Sequence, residues 1–562
     1  MVGVLPGCCP FWLGIRFRSV PRPVPCTPDN GDLVAREPSR DGARPPDDGA
    51  AACVASRSPL SLRLSSIRFT APVAETCNTT PLSSYEPFGG FVRMISMSKT
   101  YTPELAPEVL DRLRDYAGQF RDLYSYDPQF AWSGVYLRGL LEDGERKSIE
   151  PMAARVPLPL ELAHIKDPEQ ALQQFVNQSP WDEQEVEKRY RSLMAGRLAS
   201  PQGIFIIDDT GSPKQGKHSV GVQPQYCGQL GKKANCQVAV TVHYVSPKGH
   251  FPAALRLYLP ESWTASPTRL EAAKVPEPFR VEKTKGQIAL ELLDQVRSEG
   301  LLPGDVVITD AAYGVSQEFR KGLAQRQLSY IAGVTSEMVV FTEEPQWVLP
   351  RPSTRGRPPT NPRLAEESPR PVSLGELAQR LPRRKVTWRE GTKGKLSGKF
   401  SWVRVWPAQG WQRGECAWAA PLWLLIEEQA DGKIQFAFSN LPAQTSRLQA
   451  VRLWKSRWPV EQGYQQMKEE LGLNHFEGRS WRGYHHHACL VMLAYGFLVL
   501  EQLREKEVPA LPGKKSGEAP RITVPAIRRA LQDLLNPRAK PDCEYCNPHY
   551  HLIIGFIPRL PE

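Results

Sequence analysis

Two short stretches, "GIFIIDDTG" and "DVVITDAAYG", constrain the fold of this 562-residue chain more than any others. Each is a brief apolar run closed by Asp and a turn of small residues. A run that is too short for a helix and lacks polar alternation predicts a strand buried on both faces. Such strands need helices packed above and below them. The strand-like "CQVAVTVHYVS", "FPAALRLYLP" and "SYIAGV" are interleaved with the helical "GQIALELLDQVRSEG" and "SQEFRKGLAQRQ". A mixed α/β sheet follows. Asp208, Asp209 and Asp310 stand where these strands end, and open α/β sheets gather their ligands at strand ends.

The remaining segments divide by composition. Residues 1–96 are rich in Pro, Arg, Ser and Asp without a sustained period, which predicts disorder. Met94 and Met97 just precede the first helical pattern, so this extension also reads as a mis-called start. Residues 97–200 carry apolar residues at three- and four-residue spacing and predict a helical domain. Residues 201–342 hold the first part of the sheet. Residues 343–440 begin with the basic, Pro-rich "PRPSTRGRPPTNPR" and continue with the aromatic strands "FSWVRVWP", "WAAPLWLLIEE" and "KIQFAFSN", a linker and a β-rich insertion. Residues 441–505 complete the core, and 506–562 form a basic tail.

Lys and Arg outnumber Asp and Glu by 71 to 60, which suits a polyanionic partner. The 11 Cys are odd in number and scattered, the usage of a reducing cytoplasm. The opening residues lack a basic start and are broken by Pro6 and Pro10, so no signal peptide is expected. The apolar "ACLVMLAYGFLVL" falls short of the about 20 residues that a spanning helix needs, and it predicts a buried helix and no membrane partner.

Chemistry concentrates at three places. Asp208 and Asp209 are followed by Lys214, Lys217 and His218, so a divalent cation held there by carboxylates would sit among cations suited to a phosphate substrate. Asp310 supplies a second carboxylate in the same sheet. In "SRWPVEQGYQQMKEE", helical spacing puts Arg457, Glu461 and Lys468 on one stripe, with Trp454 three residues before Arg457. A solvated Arg–Glu pair explains part of that stripe, and Pro459 marks a start or a kink.

The order strand Asp, strand Asp, helical Glu resembles the DDE transposases and integrases. The spacing Trp454, Arg457, Glu461, Lys468 resembles the YREK signature of bacterial insertion-sequence transposases, with Trp in the Tyr position. The family's Asp-any-Thr motif matches Asp208-Asp209-Thr210, which points to Asp208, with Asp209 as the alternative. The resemblance implies an RNase H-like fold, flanked by helices, interrupted by a β-rich insertion and preceded by a helical DNA-binding domain over 97–200. It implies a two-metal site for Mg²⁺ or Mn²⁺ on Asp208, Asp310 and Glu461, with Arg457 and Lys468 on phosphates and Trp454 stacked on a base or packed on the sheet. The implied activity is cleavage at transposon ends followed by strand transfer. The implied partners are double-stranded DNA, as inverted-repeat ends and target, and a second copy in a homodimeric synaptic complex, all in the nucleoid-bearing cytoplasm. A catalytically silent DNA-binding regulator and an RNase H-like nuclease without strand transfer are the rival readings.

Three weaker signals complete the chain. Arg355 and Arg357 in "RGRPP" resemble a minor-groove hook and otherwise read as a solvated basic linker. His485, His486 and His487 are consecutive on a helix, about 100° apart, and read as packing residues. Cys543, Cys546, His549 and His551 are zinc-type ligands, with a shorter loop between pairs than structural zinc sites usually have.

Overall fold

A computed structural model describes residues 102–350, 361–391, 394–507 and 522–536. The 1–96 extension, Arg355, Arg357 and the Cys543–His551 cluster lie outside the described residues. All described residues belong to one compact unit.

The helices α1 (Val109–Gly118), α2 (Asp127–Leu141), α3 (Ile149–Arg155), α4 (Pro168–Asn177) and α5 (Glu183–Leu198) come first. Asp caps start two of them. Asp167 accepts from the Gln170 amide at 2.9 Å, and Asp182 accepts from that of Gln184 at 2.8 Å, satisfying amides that have no partner inside the helix. These helices do not enclose a core of their own. Their buried faces, from Val109 to Leu198, join one continuous apolar core with the sheet and with the C-terminal helices.

The strands are β1 (Ile204–Pro213), β2 (Gln223–Cys227), β3 (Lys232–Ser246), β4 (Gly249–Leu257), β5 (Val306–Thr309), β6 (Ser329–Val334), β7 (Val339–Phe341), β8 (Trp347–Val348), β9 (Arg363–Leu364), β10 (Val372–Ser373), β11 (Arg384–Gly391), β12 (Gly394–Pro407), β13 (Leu422–Glu428) and β14 (Ile434–Ser439). Twelve of them form one sheet, in the order β10-β7-β12-β13-β14-β6-β5-β1-β3-β2, with β11 on β12 and β4 on β3. β1, β5 and β6 run parallel, and Phe205, Ile206, Ile207, Val307 and Ile308 are fully buried, as their unbroken apolar runs require. The aromatic strands of the insertion do not form a sheet of their own. β14 pairs antiparallel with β6, from Ser439↔Ile331 to Phe436↔Val334, and so extends the core sheet sideways.

Between the strands lie α6 (Glu261–Thr264), α7 (Pro267–Ala272), α8 (Lys285–Ser298), α9 (Ala311–Gly314), α10 (Gln317–Gln325) and α11 (Leu374–Arg380). After the sheet come α12 (Arg447–Lys455), α13 (Trp458–Glu469), α14 (Trp481–Glu507) and α15 (Val524–Leu535). The basic tail therefore includes a helix, whose Ile527 and Leu531 are buried. Helix α14 is the one helix among the described residues long and apolar enough to cross a bilayer, and 83% of its apolar window is buried inside the protein. It exceeds the apolar run 488–500 because the flanking Trp481–His487 and Glu501–Glu507 continue it.

The three consecutive His of α14 are buried among its neighbours. His487 has its Nδ1 2.8 Å from the Tyr136 hydroxyl and its Nε2 3.1 Å from the Gly472 carbonyl. The Nε2–H tautomer satisfies both. His485 accepts from the Leu257 amide at Nε2 and donates to the Trp481 carbonyl from Nδ1. Burial pushes the two rings down from 6.5, to about 3 for His487 and about 4 for His485.

Two predictions follow from this packing. Unfolded His takes up a proton below about pH 6.5, whereas folded His487 resists until about 3, so its stabilisation is present above 6.5 and is lost as pH falls through that window. A single such group contributes up to about 1.4 kcal/mol per pH unit. His487→Gln is expected to make the fall in Tm between pH 6.5 and 4 shallower by about one proton's worth; an unchanged slope would refute the assignment. The second concerns Gly333 of β6. A Cβ there would stand 2.8 Å from the Ala311 nitrogen and the Asp310 carbonyl carbon, both backbone atoms. Gly333→Ala should therefore cost about 1–3 kcal/mol in denaturant unfolding, the range for overpacking.

Candidate active site

The parallel register of β1 and β5 builds the site. Ile204 pairs with Val306 and Ile207 with Thr309, so the next residues along are Asp208 and Asp310. Strand β5 stops there, and the Asp310 carboxylate caps α9, accepting from the Ala312 amide at 3.0 Å. Strand β1 does not stop. Its pairing with β3 runs on to Pro213↔Cys236, so Asp208 and Asp209 lie inside the strand rather than at its end. The turn expected at "DDTG" is overridden by the antiparallel partner on the other side.

Asp208 is buried, at 7% exposure. Burial raises its carboxyl to about 6, the charge of Asp310 adds to the rise, and the Arg457 guanidinium opposes it. Burial also raises Asp310, again against Arg457. Arg457 is the hub of the cluster. Its Nη2 donates to Asp208 Oδ2 at 3.0 Å and lies 3.8 Å from Glu461 Oε1, and its Nε is buried with no hydrogen-bond partner. Glu461 is exposed, and Arg457 stands between it and Asp208. Among the described residues no three Asp, Glu, His or Cys side chains are close enough together to hold one ion. Two carboxylates adjoin in register, and the third is separated by a guanidinium. Asp209, the alternative ligand, is tied to Lys285 Nζ at 2.7 Å.

The Glu stripe is carried on two helices. α12 ends at Lys455, and α13 begins at Trp458 with Pro459 in its first turn. Pro459 has no N–H to give to the preceding turn, so the chain breaks there and Arg457 becomes the N-cap residue of α13. Glu461, Tyr464 and Lys468 recur at helical spacing, and two of them reach the sheet. The Lys468 ammonium donates to the Gly211 carbonyl at 2.7 Å. The Tyr464 hydroxyl meets the Thr241 hydroxyl, which in turn reaches the Asp208 carbonyl at 3.3 Å. Tyr464 and Thr241 thus fix α13 to β1 beside Asp208.

Trp454 lies apart from this group. It is 8% exposed, and its indole N–H donates to Glu427 Oε2 at 2.7 Å; Lys455 pairs with the same carboxylate. The exposed ring at this corner is Trp458, at 62%. Lys214 points to the carbonyls of Asn474 and Phe476, and burial lowers it to about 8. Lys217 is exposed.

Sequence reasoning missed Lys285, Tyr464, Thr241, Gly314 and Gly333. A Cβ on Gly314 would overlap the Gly333 carbonyl, so both glycines let α9 and Asp310 sit against β6. Their signal was present as Gly inside "AAYG" and "SYIAGV", where an interior Gly marks close backbone approach. Lys285 and Thr241 become visible only once α8 and β3 are placed in space.

Residues 122–395 match the family model described as DDE superfamily endonuclease, a span that includes Asp208 and Asp310 and stops short of Glu461. A probable transposase for insertion sequence element IS701 from Microchaete diplosiphon is 31% identical over 226 residues, covering 40% of this chain and 53% of the relative. The chain thus spans about half the length of that relative. A cryo-EM structure of the piggyBac transposase synaptic complex with hairpin DNA aligns with 80% of this chain and 83% of its own, at 10% identity and a TM-score of 0.36, too loose a likeness to assign the fold. By the family match and the sequence relative, the chain is similar to the DDE superfamily endonucleases and to an insertion-sequence transposase.

Proposed function

We propose that this chain cleaves DNA at the ends of a mobile element and joins them to target DNA. The observation that carries the reading is the side-by-side placement of Asp208 and Asp310 by the β1–β5 register, with the Glu461 helix tethered to β1 and to its other neighbour β3. On this reading the core is an RNase H-like fold and the N-terminal helices contribute to DNA binding.

The donor chemistry fits a hard divalent cation: two adjacent carboxylates and a third on a helix, all oxygen ligands. Asp208, Asp310 and Glu461 would hold Mg²⁺ or Mn²⁺, once Arg457 yields its place between Asp208 and Glu461. When bound, a pair of such ions supplies Lewis acidity and charge neutralisation to phosphoryl transfer. The residues of the chain do the rest. Arg457, released from Asp208, offers its planar donors to a non-bridging phosphate oxygen, the geometry in which guanidinium excels. Lys468 adds positive charge on the same helix face. In the first reaction, water displaces the 3′ oxygen of the scissile phosphodiester. In the second, the freed 3′-OH displaces an oxygen of the target phosphodiester, so the number of ester bonds is conserved.

Trp454, buried on Glu427, serves to anchor α12 to β13. Base stacking falls instead to the exposed Trp458, which follows Arg457 in the chain. DNA ends and target are the partners, and a homodimer holding two ends is the working assembly, in the nucleoid-bearing cytoplasm.

Asp310→Ala and Glu461→Gln are each expected to lower Mg²⁺-supported cleavage of element-end DNA by on the order of 10²-fold or more, the scale of one lost transition-state contact. Gel-shift affinity for the same DNA should survive. Cleavage that persists in both variants would refute the assignment, and cleavage without joining would favour a plain nuclease. Trp458→Ala should reduce fluorescence quenching of the protein by single-stranded DNA, by about 1–3 kcal/mol in binding. Unchanged binding would exclude stacking there.

A further inference from the structure

We infer that the β11–β12 hairpin is a DNA-backbone arm, an assignment that rests on the DNA-transposase reading and extends it to a surface away from the carboxylates. β12 pairs with β13 only from Lys399↔Glu428 onward, whereas it pairs with β11 from Gly394 to Phe400. The outer part of the hairpin, Thr387 to Gly391 and Gly394 to Ser397, is therefore a two-stranded ribbon that overhangs the sheet.

Its charge is one-sided. Residues 383–399 contain Arg383, Arg384, Lys385, Arg389, Lys393, Lys395 and Lys399 against a single acid, Glu390. Arg383 and Lys399 at the root are paired with Glu428, both at 2.8 Å. Arg384, Lys385 and Arg389 are exposed and have no carboxylate partner among the described residues. Lys385 sits directly opposite Lys399 in the ladder, and because Glu428 already holds Lys399, Lys385 is the unpaired cation of the two. Arg384 and Arg389 pair with Phe400 and Leu396, on the other face from Lys385, so cations line both faces of the ribbon. A two-stranded ribbon of this width enters the major groove of B-DNA, where its exposed cations meet the phosphate walls.

The arm is packed on α12, the helix that leads into the Glu461 helix. Trp388 stacks edge-on against Phe400, and the Lys455 ammonium lies over both rings, at 5.2 and 5.8 Å. Lys455 and Trp454 share Glu427, and Arg457 follows two residues later. Duplex held by the ribbon is thereby placed at a fixed offset from the carboxylates.

The test is binding of the full chain, without metal, to a short duplex of arbitrary sequence across a salt series. The triple variant Arg384→Gln, Lys385→Gln, Arg389→Gln should bind roughly tenfold or more weakly at moderate salt, and its slope of log K against log salt should fall by about 2–3, three phosphate contacts at about 0.9 each. The single Lys385→Glu variant, a change at an exposed position, should weaken binding in the same direction, with an unchanged thermal transition. A salt slope equal to that of the unaltered chain in both variants overturns the arm and leaves the transposase reading standing. A full slope in the unaltered chain, lost in the triple variant, together with no cleavage of any element end, supports the arm and overturns the transposase reading.

Discussion

The parallel pairing of β1 with β5 is the constraint on which the rest depends. It sets Asp208 and Asp310 on adjacent strands, about 5 Å apart along the hydrogen-bonding direction. Two carboxylates at that separation repel by a few kcal/mol at the effective dielectric of a protein site. Neither strand can slip to relieve this. A shift of one residue would turn the fully buried Ile206, Ile207, Val307 and Ile308 away from their neighbours, and the apolar contacts of that layer outweigh the repulsion. The core therefore holds the acids together, and other residues must neutralise them.

Arg457 performs that neutralisation. Its guanidinium pairs with Asp208 and approaches Glu461, and its charge opposes the rise that burial imposes on Asp208 and Asp310. In the structure this internal cation satisfies the carboxylates. On the function proposed above, external cations would take its place and the guanidinium would turn to the substrate. The exposed Glu461 would move at little cost, because its carboxylate remains in water. The fixed parts are the two Asp and the Tyr464–Thr241 and Lys468–Gly211 tethers of α13.

Much of this was legible in the sequence because it depends on local pattern. Unbroken apolar runs mark β1, β5 and β6, and Asp caps mark the starts of α4 and α5. The spacing of Arg457, Glu461 and Lys468 marks one helix face. What was not legible depends on partners distant in the chain. β1 continues past Asp208 only because β3 lies beside it. The aromatic strands extend the core sheet only because β14 finds β6. The helical segment 109–198 has ordinary amphipathic patterns, and nothing local says that its apolar face is completed by α14. Trp454 illustrates the same limit. Its spacing matched a signature, but Glu427, 27 residues earlier, decides that the indole is a buried anchor.

The Trp-rich strands also explain why the long gap between Asp310 and Glu461 does not loosen the site. An insertion that folded alone would leave Glu461 at the end of a flexible excursion, with a loop-closure cost that grows with length. Here each strand from β12 to β14 is paired edge to edge back to β6, the neighbour of β5. After β6 the chain runs to the far edge of the same sheet and returns through β14 onto β6. α12 is then locked to β13 through Trp454, Lys455 and Glu427 before Pro459 redirects the chain into α13. Sequence distance is thus converted into a short, rigid structural path. Any surface that the insertion presents to DNA is rigidly connected to the helix that carries Glu461.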